Sequence, residues 1–301
     1  MSRKYFLFSA LAIMLLVGIF DFVYAVYYLS RLSSFTNTEI IVTFVLAAVN
    51  IGLCVPSLVF TIKAFRRKEN NLVASVLLII ASTMYFGYRM FSVAKTLKSA
   101  IYPDEDIEMV MYWMTYAFSQ ALIGLLPVAL AILSLVTFKK SEQDYVPSRK
   151  INKIFYYIVL AFAFQAFLSL STTGIRGTLI LRYSSSESIS NIVQALIYLI
   201  GSLGIIGCAI PSFVFSFFER KKDLSRNLLL VAAFIIIGIY IWSTIVSIQQ
   251  SKAYSISGVT ELIIVESVGI FLEIGVIIAG SILMFVKFKT KQPEQTKPEL
   301  E

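Results

Sequence analysis

The chain has 301 residues, of which 58% are hydrophobic and 15% are charged, and its net charge is +8 at pH 7. Soluble domains average about 45–50% apolar and about 25% charged residues, so this composition excludes an ordinary soluble protein. The basic residues stand in short runs at the ends of apolar stretches, where they orient a membrane protein, and this arrangement argues against nucleic-acid binding.

Eight apolar stretches follow one another along the chain. About 20 residues of helix cross the hydrocarbon layer, and backbone groups in lipid must pair within their own segment, so each stretch is predicted to be a helix. The predicted fold class is all-α: an integral membrane protein with eight transmembrane helices embedded in the lipid bilayer. The predicted spans are 5–29, 38–62, 71–96, 109–138, 152–174, 189–217, 226–248 and 259–286.

The positions of the basic residues predict the orientation of these spans. If the N-terminus is cytoplasmic, 19 of the 26 Lys and Arg residues fall in cytoplasmic segments. Such a bias is typical of the cytoplasmic side, so we predict a multi-pass protein of the plasma membrane with both termini cytoplasmic. Anionic lipid head groups are the expected partners of these clusters, at about 1 kcal/mol per basic residue near the surface.

The second and sixth predicted spans share a pattern, which is Pro-Ser, then Val-Phe, then a basic cluster. It begins at Pro56 in one span and at Pro211 in the other. We predict a tandem duplication of a four-helix unit. Four helices is an even number, so the halves share one orientation and a pseudo-twofold axis along the membrane normal. The predicted units are a first half (1–138), a cytoplasmic linker (139–151), a second half (152–288) and a disordered tail (289–301).

Several kinds of chemistry are excluded by residue types that are missing. The chain has no histidine, which removes the commonest general base and the commonest ligand of haem and zinc. Cys54 and Cys208 both fall inside apolar spans, so a disulfide framework is not expected. We predict that the protein is not an enzyme and that it holds neither a cofactor nor a metal.

Four charged residues lie inside the predicted spans and away from their ends, at depths where charge is costly and is by default a sign of function. Counting about 1.5 Å per residue places Asp21, Arg89 and Glu266 at one level, about 10–12 Å below the outer ends of their helices, with Glu273 near the midplane. Asp21 and Arg89 are predicted to form a gate or a structural ion pair. Arg89 could instead bridge to Glu266.

Glu273 and Glu266 are predicted to bind substrate or protons. They are seven positions apart, so they point to the same side of one helix. Asn50, Gln120 and Gln165 add uncharged polar groups near the midplane and are predicted to belong to the same site. Glu273 has no evident cationic partner, so we expect it to be protonated much of the time and to exchange its proton when a cation arrives. The alternative is a glutamic acid that only hydrogen-bonds within the bundle.

Three prolines lie inside predicted spans. Each removes one backbone hydrogen bond, and Pro56, Pro127 and Pro211 are therefore predicted to act as helix hinges. Pro56 and Pro211 occupy matching places in the two halves, as expected of a transporter with its site between repeats. The alternative is that proline is simply commoner in membrane helices than in soluble ones.

Together these features favour a small-solute transporter. A net negative interior suits a small cationic solute or a proton-coupled substrate. The alternative is a membrane scaffold, accessory subunit or sensor with no transport cycle, in which the buried carboxylates are structural.

Overall fold

A computed structural model of the chain describes residues 3–31, 38–67, 72–100, 107–135, 147–183, 189–254 and 259–286. Over these residues the fold is all-helical, with eight α-helices and one short 3-10 helix. The helices are α1 (Arg3–Arg31), α2 (Thr38–Arg67), α3 (Leu72–Ala100), α4 (Ile107–Leu133), α5 (Pro147–Tyr183), α6 (Ile189–Phe215), α7 (Lys222–Tyr254) and α8 (Val259–Leu283), with the 3-10 helix at Glu219–Lys221.

Seven helices, α1 to α7, are long and apolar enough to cross a membrane. In α8 the apolar part that the structure describes is Ser267–Leu283, which is shorter than the others, so an eighth span stays a prediction. The outer surface of the bundle carries large apolar side chains. Ile200, Leu203 and Phe234, for example, expose 65–68% of their surface, as lipid-facing residues do. The predicted multi-pass helical membrane protein is thus confirmed.

Several helices are longer than the predicted spans. Helix α5 begins at Pro147, inside the predicted linker 139–151, and ends at Tyr183. Proline fits the first position of a helix because its missing N–H has no partner there. Hydropathy marks only the apolar part of each helix, so it misses turns that continue past the hydrocarbon. Residues 136–146, which include most of the predicted linker, and 287–301, which include the predicted tail, lie outside the described residues.

Helices α1 and α5 form the centre of the bundle. Helix α1 packs against α2, α3, α4, α5 and α8, and α5 packs against α1, α4, α6, α7 and α8. One apolar core lies among α1 to α4 and another surrounds α5 together with α6, α7 and α8. The first contains Leu11, Met14 and Leu78. The second contains Phe162 and Ile236. These five side chains are almost fully buried.

The three prolines lie inside helices that stay helical on both sides of them. Pro56 lies in α2, Pro127 in α4 and Pro211 in α6. Pro127 is fully buried, whereas Pro56 is exposed and Pro211 is half-buried. The matched pair therefore lies nearer the lipid than Pro127 does. Their role as hinges stays a prediction.

Helix α8 packs tightly on α5 at one glycine. A Cβ atom on Gly280 would lie 2.6 Å from Cγ2 of Val159, which is fully buried. Gly280→Ala should therefore cost about 1–3 kcal/mol of stability, the usual cost of overpacking a core. The control is Gly275→Ala on the same helix, where a Cβ meets nothing within 4 Å. Thermal unfolding in detergent should show a lowered Tm for Gly280→Ala only, and equal Tm values would contradict this packing.

Candidate functional site

Arg89 ties α3 to α4. Its Nε donates a hydrogen bond of 2.8 Å to Oε1 of Gln120 on α4. Its Nη1 donates to the hydroxyl of Tyr85, one turn earlier on α3, and the guanidinium lies 5.4 Å from the centre of the same ring. Neighbours four positions apart on a helix meet in this way. These contacts fix the orientation of the Arg89 guanidinium.

Asp21 interacts electrostatically with Arg89 but not by direct contact. The two charges are close enough to affect each other. In the part of the chain that the structure describes, however, no ion pair within 4.0 Å joins them. The two residues predicted as a gate or ion pair thus interact without a direct ion pair, and Tyr85 interacts electrostatically with both.

A cavity lies between α1, α2 and α3, and Asp21 lines it. It is small, with about 20 Å³ of space for a water-sized molecule, and it is partly open to the outside. Polar groups come from Asp21, Thr43, Asn50, Tyr85 and Tyr88, and the rest of the wall is apolar. The apolar lining residues are Leu46, Ala47, Val49, Leu53, Ala81 and Met84.

Asn50 is buried in the wall of this cavity and is already hydrogen-bonded. Its Nδ2 donates to the backbone oxygen of Met14 on α1 at 3.2 Å, and its Oδ1 accepts from the Cys54 thiol at 3.2 Å. Gly18 of α1 lets this amide approach, because a Cβ there would lie 3.0 Å from Nδ2 of Asn50. The predicted binding residue therefore also joins α1 to α2.

Glu273 on α8 lies among side chains of two other helices. Nε2 of Gln165 on α5 donates to Oε1 of Glu273 at 3.5 Å. The Glu273 carboxyl group also shares a hydrogen bond with Tyr240 on α7. The other end of the Gln165 side chain, Oε1, is buried and has no partner among the described residues. Glu273 thus joins three helices of the second half of the bundle.

Tyr85 lies between the two groups of polar residues. It lines the cavity with Asp21, it accepts a hydrogen bond from Arg89, and it is near enough to Glu273 to interact with its charge. The structure therefore brings Asp21, Arg89 and Gln120 together around Tyr85, and brings Gln165 together with Glu273. The side chain of Glu266 lies outside the described residues, so its predicted place beside Glu273 is not described.

The sequence patterns do not single out two tyrosines of this centre. Tyr85 and Tyr240 lie among many aromatic residues, which make up 14% of the chain, so composition does not single them out. The spacing of four between Tyr85 and Arg89 was the available signal, because it places both on one helix face. Nothing in the spacing indicates that Tyr240 meets Glu273, since the two residues lie on different helices.

The fold and this centre define a multi-pass helical membrane protein with charged and polar side chains inside the bundle. Compared with protein-family models, curated proteins and solved structures, the chain shows no significant match. Among the described residues there is no group of three potential metal ligands. Any assignment of function therefore depends on the geometry of the polar centre.

Proposed function

We propose that this protein is a small-solute transporter whose substrate is a cation or is moved together with protons. The observation that carries the proposal is the cavity between α1, α2 and α3, with the carboxylate of Asp21 in its wall and no ion pair to Arg89 within 4.0 Å among the described residues. A carboxylate inside a membrane bundle is costly and marks a solute or proton path by default.

Glu273 supplies the proton-binding group in this proposal. A charged carboxylate only accepts hydrogen bonds, whereas a protonated one must also donate. Gln165 and Tyr240 suit both states, because an amide and a phenol can each donate and accept. A turn of the Gln165 amide would bring its unpartnered Oε1 toward a proton on Glu273. These neighbours support proton exchange at Glu273 without loss of its hydrogen bonds.

The two halves of the chain are proposed to be a tandem duplication. Five pairs of residues with matching roles lie 155 positions apart. Ser57 on α2 donates to a backbone oxygen of α3, and Ser212 on α6 donates to a backbone oxygen of α7. The hydroxyls of Thr43 and Tyr88 meet at 2.5 Å, and those of Tyr198 and Ser243 meet at 2.8 Å. The remaining pairs are Pro56 with Pro211 and Tyr85 with Tyr240.

The packing of the helices supports the same proposal. Every packed pair in the first half has a counterpart four helices later, from α1 with α2 to α3 with α4. Between the halves, α1 packs on α5, and the contact of α4 with α5 matches that of α8 with α1. A pseudo-twofold axis along the membrane normal, between α1 and α5, would produce this arrangement.

The membrane and the orientation are also part of the proposal. We place the protein in the plasma membrane with both termini cytoplasmic. The basic residues at the short 3-10 helix support this, because Arg220 and Lys221 are exposed at the junction of α6 and α7. On the cytoplasmic side such residues can contact anionic lipid head groups.

A second candidate is a membrane scaffold, accessory subunit or sensor. The hydrogen bonds that fix helices to one another favour it, since Asn50 joins α1 to α2 and Arg89 joins α3 to α4. Under this candidate the polar residues stabilise the bundle and no solute crosses. Removing them should lower stability without affecting any flux.

Solute flux through purified, reconstituted protein separates the two candidates. Vesicles with an imposed pH gradient are tested with small organic and inorganic cations, and uptake is compared with that of protein-free vesicles. We expect uptake of at least one cation, and we expect Asp21→Asn to remove it. The control is Asp223→Asn, which alters a carboxylate whose side chain is 94% exposed on α7. If no cation enters in the presence or absence of the gradient, the scaffold candidate is favoured.

A further inference from the structure

The cavity between α1, α2 and α3 has room for one occupant the size of a water molecule. A space of about 10–15 Å³ is enough for one water, and this cavity offers about 20 Å³. We propose that it binds one sodium ion, held by the carboxylate of Asp21 and by neutral oxygen atoms of the same wall. This inference rests on the proposed function, because it names the cation of that site as the solute or the coupling ion. It concerns binding alone, so it can be tested apart from transport.

The wall of the cavity supplies oxygen atoms, which are the ligands that small hard cations take. Five of the eleven lining residues carry an oxygen in the side chain, and they are Asp21, Thr43, Asn50, Tyr85 and Tyr88. Two of these oxygens are already together, because the hydroxyls of Thr43 and Tyr88 meet at 2.5 Å. The Asn50 amide lies against Gly18, one turn before Asp21 on α1. Three helices thus bring their oxygen atoms to one small space.

The hydrogen bonds of the wall leave lone pairs for an ion. The Tyr85 hydroxyl accepts from Arg89, and Oδ1 of Asn50 accepts from the Cys54 thiol. A hydroxyl oxygen and an amide oxygen each have two lone pairs, so one accepted hydrogen bond leaves a place for a second contact. Asp21 forms no ion pair within 4.0 Å among the described residues, so its carboxylate is the principal ligand.

The charges of the polar centre favour a monovalent ion. Asp21 and Arg89 balance each other, and Glu273 adds one negative charge, which either a proton or one monovalent cation can balance. A divalent ion would leave an excess positive charge inside the bundle, which is costly. Arg89 does not fill the site, because it is not part of the cavity wall and its guanidinium is held by Gln120 and Tyr85.

Size favours sodium among the monovalent cations. A sodium ion without its hydration shell is smaller than a water molecule, a potassium ion is about as large, and organic ammonium ions exceed the cavity. Sodium can therefore approach the Asp21 carboxylate most closely, and the attraction between two charges grows as their distance falls. Six of the eleven lining residues are apolar, which lowers the local dielectric constant and strengthens the same attraction.

The test is the thermal stability of the purified full-length protein at constant ionic strength, with N-methyl-D-glucamine chloride replaced stepwise by sodium chloride. Sodium should raise Tm with its concentration, since a ligand of the folded state stabilises it. Potassium at the same concentrations should raise Tm less. If sodium stabilises no more than N-methyl-D-glucamine, the cavity holds only water and the proposal is overturned. Equal stabilisation by sodium and potassium would overturn the assignment of sodium. These comparisons need no variant.

Variants then identify the ligands. Asp21→Asn should shift the sodium dependence of Tm to at least about tenfold higher concentration, as expected for losing a contact with a charged group. Tyr88→Phe removes one neutral oxygen and should shift it about 2- to 10-fold. The matched control is Tyr198→Phe, which breaks the counterpart hydroxyl pair with Ser243 away from the cavity and should leave the sodium dependence unchanged. Equal shifts in the two tyrosine variants, or an unchanged Asp21→Asn, would contradict the site.

The outcomes also separate this inference from the proposed function. If sodium binds through Asp21 but vesicles take up no solute with or without sodium, the sodium site stands and transport fails. If uptake of another solute depends on Asp21 and sodium does not stabilise the protein, the ion is wrong and the transporter stands.

Discussion

Replacing Glu273 with glutamine is expected to abolish proton-driven solute uptake while the protein stays folded. The amide has the same shape as the carboxyl group. Its oxygen can still accept hydrogen bonds from Gln165 and Tyr240, the partners of Glu273 in the unchanged protein. It can neither take up nor release a proton, so a step that needs a proton at this position stops. Uptake into vesicles with an imposed pH gradient should fall to the level of protein-free vesicles, with Tm close to that of the unchanged protein.

The leucine variant shows what the hydrogen bonds contribute. Glu273→Leu leaves the Tyr240 hydroxyl and Nε2 of Gln165 without their shared partner, and a buried polar group without a partner costs about 1–3 kcal/mol. Its Tm should therefore fall well below that of Glu273→Gln. If Glu273→Gln transports normally, Glu273 has no role in proton exchange. If glutamine lowers Tm as much as leucine does, the carboxyl group is structural and the scaffold candidate gains support.

The helices could be predicted from the sequence because the bilayer imposes their length and their composition. Seven of the eight predicted spans correspond to helices that are long and apolar enough to cross a membrane in the described residues, and the eighth stays a prediction. The span predicted at 152–174 matches the part of α5 that can cross the membrane, Asn152–Ile175, but the helix itself runs from Pro147 to Tyr183. Hydropathy reports the depth of the hydrocarbon and not the end of a hydrogen-bonded helix.

The partners within the polar centre could not be predicted in the same way. Depth along each helix places Asp21 and Arg89 at one level, but side-chain direction decides that Arg89 bonds Gln120 and Tyr85. The partners of Glu273 come from α5 and α7, so their meeting depends on how three helices pack. The cavity is also a product of packing, because residues of α1, α2 and α3 enclose it.

Replacing Arg89 with methionine is expected to cause the largest loss of stability of the changes described here. Methionine fills similar space, but Oε1 of Gln120 and the Tyr85 hydroxyl both lose their donor. Asp21 also loses the cation that interacts with its charge. Breaking a fully buried charged contact by removing one partner costs about 3–5 kcal/mol in proteins, and the contacts of Arg89 are only half-buried. Hydrogen bonds between membrane helices average less, about 0.6 kcal/mol, so we expect a total of about 2–4 kcal/mol.

The matched control is Arg226→Met on α7. Arg226 forms an ion pair of 3.6 Å with Asp223, whose side chain is 94% exposed. An ion pair at the surface contributes about 0–1 kcal/mol, so this variant should unfold almost as the unchanged protein does. Both arginines are half-buried, but the partners of Arg89 are half-buried as well, whereas Asp223 is exposed. A loss for Arg89→Met no larger than that for Arg226→Met would contradict the placement of Arg89 inside the bundle.

The source of the loss can be separated with a double variant. If the cost of Arg89→Met comes mainly from the charge left on Asp21, then adding Asp21→Asn should restore part of the stability. If it comes mainly from Gln120 and Tyr85, the second change should add its own cost and restore nothing. Residues that interact give non-additive changes in the free energy of unfolding, so the difference measures the coupling across the gap between Asp21 and Arg89. Strong coupling would mean that Arg89 balances the charge of the cavity, and that an arriving cation competes with Arg89 for Asp21.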